Sequence, residues 1–353
     1  MKKFFFYSVI ATALFSSLNA NAKIWRLNNN AGVTADFTTF NAAVASASVL
    51  AGDTLYLEPS TTTYQTGSIT LTKRLVVVGP GYFLDPANTT TPANLGLQAA
   101  TGFSDLAFFR IGAGADGSKF MGLYMGGSFY LNNANNITFE KMCFTQGAYF
   151  ETGTNDSITF RKCFFYNGYG MTDAVAATIT NLVIENNIFY SGYYISLNNI
   201  TGSANIFRNN SIVPNGNAFT LENTYVANNI FGTGGQNIFT NCTIKNNLFQ
   251  VAQTLPGTAV GNQVSVNMAN VYVGGATGSL DSRAALKAGS PAIAAGLTIG
   301  AVVTPDCGAF GATDPYKLSG IPNIPSIYAL TVPISIPSGS ATMNVTFSSR
   351  NNN

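Results

Sequence analysis

The chain has 353 residues, of which 46% are hydrophobic and 9% are charged, and it contains no histidine. This composition excludes an intrinsically disordered chain, and the lack of histidine excludes Ser-His-Asp triads, Cys-His pairs and histidine-ligated metals. Removal of an N-terminal segment with Lys2 and Lys3 would lower the 17 basic residues to 15, equal to the 15 acidic ones. A balanced charge does not attract nucleic acid, so no nucleic-acid partner is expected.

The first 22 residues have the pattern of a secretory signal peptide. Lys2 and Lys3 precede a mostly apolar run over residues 4–18, and residues 20–22 match the small-x-small cleavage pattern. We therefore expect cleavage before Lys23 and a protein that is secreted or held on the outer cell surface. No later apolar run is long enough to span a bilayer, so no transmembrane segment is expected after signal removal.

The next segments predict the start of a β structure. Residues 36–50 form an amphipathic helical pattern, with Phe37, Phe40, Val44 and Leu50 on one side. We expect this helix to cap the first turn, because an open solenoid end exposes a strand edge. The first strands are expected at residues 52–57, 68–71 and 75–79.

A repeated eight-residue phrase occupies the middle of the chain. Its six copies begin at residues 137, 158, 182, 205, 224 and 242, so the spacing between starts is 18 to 24 residues. Repeats of this length predict a solenoid, a propeller or another array. Because each copy has strand-like alternation and none is long enough for a helix pair, we predict an all-β fold, a parallel β-helix or β-solenoid.

Each position of the phrase has an expected role. Positions one and three are mostly apolar and should point inward, whereas positions two and four should point outward. Positions five and six form a turn, because asparagine adopts the left-handed conformation readily. Its amides can also form a hydrogen-bonded ladder between turns. The asparagines assigned to this ladder are Asn186, Asn187, Asn209, Asn210, Asn228, Asn229, Asn246 and Asn247. Position eight is phenylalanine in five copies and should stack in the core.

Position four carries alternating charges. Its first four residues are Glu140, Arg161, Glu185 and Arg208. Opposite charges on neighbouring strands stabilise a sheet by about 0.2–1 kcal/mol per pair. We interpret these residues as a structural ladder that helps to set the register, and they are at the same time the candidates for a catalytic site.

Tyrosines that follow the phrase suggest a binding surface. The segments 165–169 and 189–193 align residue for residue, which places Tyr166 beside Tyr190 and Tyr169 beside Tyr193. Stacked rings with phenolic hydroxyls can contact sugars, although the same rings can serve only to stabilise a turn. The candidate ligand-binding residues are Tyr149, Tyr166, Tyr169, Tyr190, Tyr193 and Tyr194.

The C-terminal part has a different composition. Residues 283–288 predict a helical turn, and proline becomes frequent from Asp314 onward. Residues 327–336 and 341–348 predict a terminal hairpin across residues 337–340. The expected division is a signal peptide at 1–22, a β-helix domain with its cap at 23–313, and a tail at 314–353.

The four cysteines lack the paired spacing of a zinc site. They are Cys143, Cys163, Cys242 and Cys307. Buried single thiols are the simplest interpretation. Cys143 and Cys163 fall on neighbouring predicted turns and form the only pair for which a disulfide is considered.

Three stretches resemble a known family. They are the opening segments 52–57 and 75–81, the Asn-Asn phrases from 182 to 249, and the closing segments 290–296 and 306–311. In these stretches the chain resembles secreted right-handed parallel β-helix proteins of the pectate-lyase-like superfamily, especially those of Bacteroidetes. The resemblance covers about residues 33 to 312 and implies a right-handed helix. Ala294 departs from the family, which usually has an acid at this place. One fold hosts many functions, so the resemblance implies an activity only weakly.

Lyases of this superfamily typically use a calcium site of clustered acids and a Lys or Arg base, and polygalacturonase-like members use paired Asp near a His. A lyase here would use Glu140 and Glu185 around Arg161, with Arg208 or Lys162 as the base. A pectin-esterase-like site would use Asp156, Asp173 and Arg161. Structural pairing explains the position-four charges better, so we expect no catalytic site, no metal and no cofactor, with calcium only in the lyase alternative.

Three functions follow from these patterns. The first is a non-catalytic secreted or surface protein that binds extracellular polysaccharide. The second is a polysaccharide lyase of the pectate-lyase-like type. The third is a structural surface-layer or adhesin component attached through the terminal hairpin. Neither the particular glycan nor the oligomeric state follows from the sequence.

Overall fold

A computed structural model describes residues 22–87, 93–97 and 101–351. The predicted signal peptide lies outside these residues, apart from its last position. In these residues three long parallel sheets contain ten, eight and nine strands, and successive strands of the chain alternate among the sheets. The expected all-β parallel solenoid is therefore confirmed, and so is the antiparallel hairpin at its C-terminal end.

The strands are numbered in chain order across the three sheets. The first sheet contains β1 (Ile24–Leu27), β2 (Thr54–Leu57), β4 (Val76–Val78), β7 (Lys119–Met121), β10 (Thr138–Glu140), β13 (Thr159–Arg161), β17 (Val183–Glu185), β20 (Asn205–Arg208), β23 (Thr224–Ala227) and β26 (Thr243–Lys245). The second contains β5 (Asp105–Leu106), β8 (Tyr124–Met125), β11 (Cys143–Phe144), β14 (Phe164–Phe165), β18 (Ile188–Phe189), β21 (Ser211–Asn215), β24 (Ile230–Thr233) and β27 (Leu248–Phe249). The third contains β3 (Ile69–Leu71), β6 (Phe109–Ile111), β9 (Phe129–Asn132), β12 (Ala148–Asp156), β15 (Gly170–Asp173), β19 (Tyr194–Ser196), β22 (Thr220–Glu222) and β25 (Ile238–Thr240), with β16 (Ala177–Thr180) beside the end of β12. The hairpin pairs β28 (Pro325–Thr331) with β29 (Thr346–Asn351).

Helical segments are short. The helix α1 (Phe40–Ala45) lies inside the range predicted from the sequence but is shorter than that range. The Thr39 hydroxyl accepts a hydrogen bond from the Ala42 N–H, and Phe40 packs against the core ring of Phe109. Single 3₁₀ turns occur at Met268–Asn270, Ser282–Ala284 and Leu318–Gly320. In the described part of the chain, no helix is long and apolar enough to cross a membrane.

The six phrases lie in register on neighbouring strands, and their apolar positions fill the core. Positions one and three are buried in all six copies. Two columns of phenyl rings stack between turns, as in the pair Phe139 and Phe160 at 4.9 Å and the pair Phe165 and Phe189 at 4.7 Å. This spacing equals the distance between hydrogen-bonded strands, so each added turn extends the same stack. Strand β1 was not predicted, and it forms the edge of the first sheet.

The turn at positions five and six separates two kinds of asparagine. Asn187, Asn210, Asn229 and Asn247 at position six are fully buried, and each side chain donates to the next carboxamide oxygen along the solenoid. Asn262 extends this ladder by one more step. Position five takes the left-handed conformation in all six copies, with φ between 52° and 57°. Its side chains therefore point away from the ladder.

The position-five side chains bind a segment that the sequence did not predict. We call residues 265–323 the strap, because they run back along the outside of the turns. Its hydrogen bonds, in order, join Asn246 to the Ala295 carbonyl, Asn228 to Leu297, Asn209 to Asp306, Asn186 to Ala309 and Gly311, Lys162 to the Asp314 carboxylate, and Lys141 to the Ile321 carbonyl. The expectation that Asn186, Asn209, Asn228 and Asn246 bond from turn to turn is therefore wrong, because their left-handed backbone directs them to the strap.

The strap also covers the outer face of the second sheet. Position-seven residues point away from the core, yet Phe164, Ile188 and Ile230 have no exposed surface. They pack in clusters with strap residues such as Ala309 and Val271. The second sheet is thus apolar on both faces, as expected for a parallel sheet that is buried on both sides.

All four cysteines are buried free thiols. Cys143 points outward under the strap, whereas Cys163 occupies position six of the next copy and lies in the main core. Burial raises the pKa of both thiols well above the usual range. The structure therefore contains no bond between the pair that the sequence singled out.

Candidate functional site

The charged column at position four consists of ion pairs. Strand register places Glu140 beside Arg161 and Glu185 beside Arg208. The Glu140 carboxylate lies 3.0 Å from Arg161 and 2.8 Å from Lys119, and Arg208 lies 2.7 Å from Glu185. Burial alone would raise the pKa of Glu140, but the hydrogen bonds from Lys119 and Arg161 outweigh it and hold the pKa below its usual value. The pairs account for these residues as a structural ladder.

The other acids proposed for catalysis are also engaged. Asp156 accepts hydrogen bonds from the Thr180 hydroxyl and the Asn181 amide, and Asp173 accepts from the backbone N–H of Asn198. Arg161 is paired on the first sheet, whereas both acids lie on β12 and β15 of the third. Lys162 binds Asp314 of the strap. Within the described ranges, no group of three or more His, Cys, Asp or Glu residues could hold a metal ion.

The six candidate tyrosines do not form one surface. Tyr166 and Tyr190 are neighbours as expected, with ring centroids 6.2 Å apart, and they pack against the cluster beneath the strap. Tyr169 is exposed at a turn. Tyr193 is fully buried and packs against Phe165 at 5.0 Å, so its assignment to a binding surface is wrong. The residue-for-residue alignment predicted the neighbours correctly but not the direction of this side chain.

The remaining two tyrosines, Tyr149 and Tyr194, lie on the outer face of the third sheet. Tyr149 stacks on Tyr130 at 4.9 Å with an interplanar angle of 22°, and Tyr130 contacts Phe108 at 4.7 Å. We call Phe108, Tyr130, Tyr149 and Tyr194 the aromatic stripe. All four rings are partly exposed. They lie on or directly beside β6, β9, β12 and β19, so the stripe crosses the strands along the solenoid axis.

Two glycines let rings of the stripe lie against the backbone. A Cβ atom at Gly147 would collide with the Tyr149 ring, and one at Gly170 would collide with the Tyr194 ring. Neither glycine has a positive φ, so the close approach of the rings, and not the backbone conformation, requires glycine here. Gly147 and Gly170 are neighbours in the strand register, since Ala148 pairs with Met171. The two rings therefore occupy the space that side chains would fill at two neighbouring glycines of the same sheet.

One ion pair borders the stripe. The Arg110 guanidinium donates two hydrogen bonds, of 2.6 and 2.7 Å, to the Glu151 carboxylate, and it lies 5.2 Å from the Tyr130 ring centroid. Partial burial is the main cause that raises the pKa of Tyr130, and the neighbouring Tyr149 phenol and Glu151 carboxylate raise it further. Its phenol therefore remains protonated at neutral pH and can donate a hydrogen bond.

Sequence reasoning missed Phe108, Tyr130 and Arg110 because they precede the first copy of the phrase. A signal for them exists. Residues 109–111, 129–131 and 148–150 each have apolar residues at both ends and a polar or aromatic residue between them, and these triplets pair in the third sheet. Alignment of the third-sheet segments, in addition to the Asn-Asn phrases, would have placed Tyr130 beside Tyr149.

No protein-family model matches the chain, and no curated protein matches it significantly. The proposal of a function therefore rests on the geometry of the site.

Proposed function

We propose that this protein is a secreted or cell-surface right-handed β-helix of the pectate-lyase-like type that binds extracellular polysaccharide through the aromatic stripe, without catalysing its cleavage. The observation that carries the proposal is the pair of rings, Tyr149 and Tyr194, seated over Gly147 and Gly170. Seated rings are held in place before a ligand arrives, which lowers the entropy that binding must overcome.

The shape of the stripe suits a linear polymer. From β6 to β19 it crosses four strand spacings of about 4.8 Å, or roughly 19 Å. Sugar rings have apolar C–H faces and hydroxyl edges, and tyrosine offers an apolar ring with a polar hydroxyl. A glycan chain along the solenoid axis would meet successive rings.

A catalytic function at Glu140 and Glu185 has less support. Glu140 and Glu185 are each held by a basic partner, and the pKa of Glu140 is lowered, so this acid would not be protonated to act as a general acid at neutral pH. Release of unsaturated product from a uronate polymer would establish the lyase alternative.

The binding test uses the mature protein and a panel of immobilised plant, algal and bacterial polysaccharides. The double variant Tyr149→Ala with Tyr194→Ala should bind at least about fivefold more weakly, because two ring contacts contribute about 0.5–1.5 kcal/mol each. Tyr225→Ala is the matched control, since Tyr225 is a partly exposed tyrosine on the first sheet. Equal binding by the double variant and the wild type would refute the stripe as the site.

A second candidate function is attachment to a surface through the hairpin. Large apolar side chains on β28, β29 and the loop between them are exposed, among them Leu330, Ile334 and Phe347. Deletion of residues 325–353 keeps the strap contacts of Lys141 with Ile321 and Asn323. The attachment function predicts a folded protein that is no longer retained on cells. Retention of the truncated protein would exclude it.

A further inference from the structure

The distribution of charge around the aromatic stripe points to the class of its ligand. Between residues 120 and 250, every basic residue occupies position four or five of the phrase. They are Lys141, Arg161, Lys162, Arg208 and Lys245. Position four ends the first-sheet strands and position five lies in the turn, so these cations are remote from the third sheet. Lys141 and Lys162 are in addition buried beneath the strap.

The third sheet has the opposite charge. Its strands contain one basic residue, Arg110, and four acidic ones, Glu151, Asp156, Asp173 and Glu222. The single guanidinium is already bound by Glu151 through two hydrogen bonds. A polymer of uronate residues would bring further carboxylates to an acidic face, and like charges repel.

Neutral polar groups continue the stripe along the solenoid. Strand register places Tyr149 beside Thr172, Thr172 beside Ser196, and Ser196 beside Thr220. All four are partly exposed and have hydroxyl groups, which can both donate and accept hydrogen bonds. This column can bind the hydroxyl groups of a sugar without any charged partner.

We propose that the aromatic stripe binds an uncharged polysaccharide and rejects uronate polymers. This inference rests on the proposed function and specifies its ligand. The ring faces supply apolar contact, the hydroxyl column supplies hydrogen bonds, and the acidic residues of the third sheet repel anionic chains.

The test compares the retardation of the mature protein in native gels that contain a neutral polymer, such as a β-glucan or a galactomannan, with gels that contain polygalacturonate or alginate. We expect at least one neutral polymer to retard the protein, with little change between low and physiological salt. The double variant Tyr149→Ala with Tyr194→Ala should lose this retardation. Binding to uronate polymers alone, lost in the same double variant, would overturn the inference and leave the proposed function standing. Absence of any binding would overturn both.

A charge variant tests the cause of the rejection. Glu151→Gln removes the carboxylate that binds Arg110, so at low salt it should increase binding to uronate polymers severalfold, and added salt should reverse the gain. Melting curves establish that the variant is folded. A folded Glu151→Gln protein with no gain would overturn the electrostatic basis of the inference. If this variant does not fold, the salt dependence of the wild-type protein decides, because rejection by charge weakens as salt increases.

Discussion

Replacement of Asn229 by alanine tests the buried asparagine ladder. The Asn229 carboxamide oxygen accepts hydrogen bonds from the backbone N–H of Asn210 at 2.8 Å and from the Asn210 amide at 3.0 Å. Its own amide donates to the Phe207 carbonyl and to Asn247, both at 2.9 Å. Asn229→Ala leaves two buried donors of Asn210 without an acceptor, and each costs about 1–3 kcal/mol, so we expect a loss of roughly 2–6 kcal/mol in the free energy of unfolding.

The measurement is urea unfolding followed by far-ultraviolet circular dichroism. Asn198→Ala is the matched control, because Asn198 is exposed and its side chain has one long hydrogen bond of 3.4 Å to Ser196. The control should change stability by less than about 0.5 kcal/mol. A loss below about 1 kcal/mol for Asn229→Ala, with an unchanged denaturant slope, would refute the argument that the ladder stabilises the turns.

Three further predictions concern the strap and the stripe. Asp314→Ala should destabilise the protein more than Lys162→Met. The first variant leaves the buried Lys162 ammonium without its carboxylate, whereas the second leaves only the exposed Asp314 carboxylate without its partner. The midpoints of urea unfolding measure the stability of both variants. Burial raises the pKa of Asp281, so its contribution to stability is complete below the usual carboxyl pKa and is lost as the pH rises through the raised pKa. The melting temperature of the wild type should therefore fall as the pH rises over this range, whereas that of Asp281→Asn should lack this fall. Gly170→Val should displace the Tyr194 ring and weaken glycan binding while the fold remains.

Each of these predictions has a contrary outcome. Equal midpoints for the two strap variants would mean that the Lys162 ammonium is not stabilised by its partner. A wild-type melting temperature that rises from pH 4 to pH 7 in parallel with that of Asp281→Asn would contradict the raised pKa. Gly168→Ala is the control for Gly170→Val, because a Cβ at Gly168 meets no atom within 4 Å. Equal glycan binding by both glycine variants would show that the seated ring is not needed.

Much of the strand register followed from the repeated phrase. The spacing of 18 to 24 residues and the alternation at positions one to four predicted which residues become neighbours, such as Glu140 with Arg161 and Phe165 with Phe189. The reason is local, because a parallel solenoid stacks equivalent positions of successive turns. Self-alignment of the chain therefore predicts neighbours on adjacent strands.

Side-chain direction was less predictable near the ends of strands. Tyr169 and Tyr193 align, yet the first is exposed and the second is in the core. The segment between the second and third sheets differs in backbone conformation between the two turns. In the first turn Asn167 has a positive φ, whereas in the second turn two successive residues, Ser191 and Gly192, have a positive φ. A change of this kind rotates the following side chain without altering the strand register.

The sequence by itself determined the solenoid, its core columns and the buried asparagine ladder, because these depend on a pattern that recurs within about two dozen residues. Only the tertiary structure decided what covers the turns and which rings remain open to a ligand. The strap places Ala309 over Asn186 across 123 residues, and the stripe joins Tyr130 to Tyr149 through third-sheet pairing. Each contact involves at least one residue outside the repeated phrase, so its pattern could not predict them.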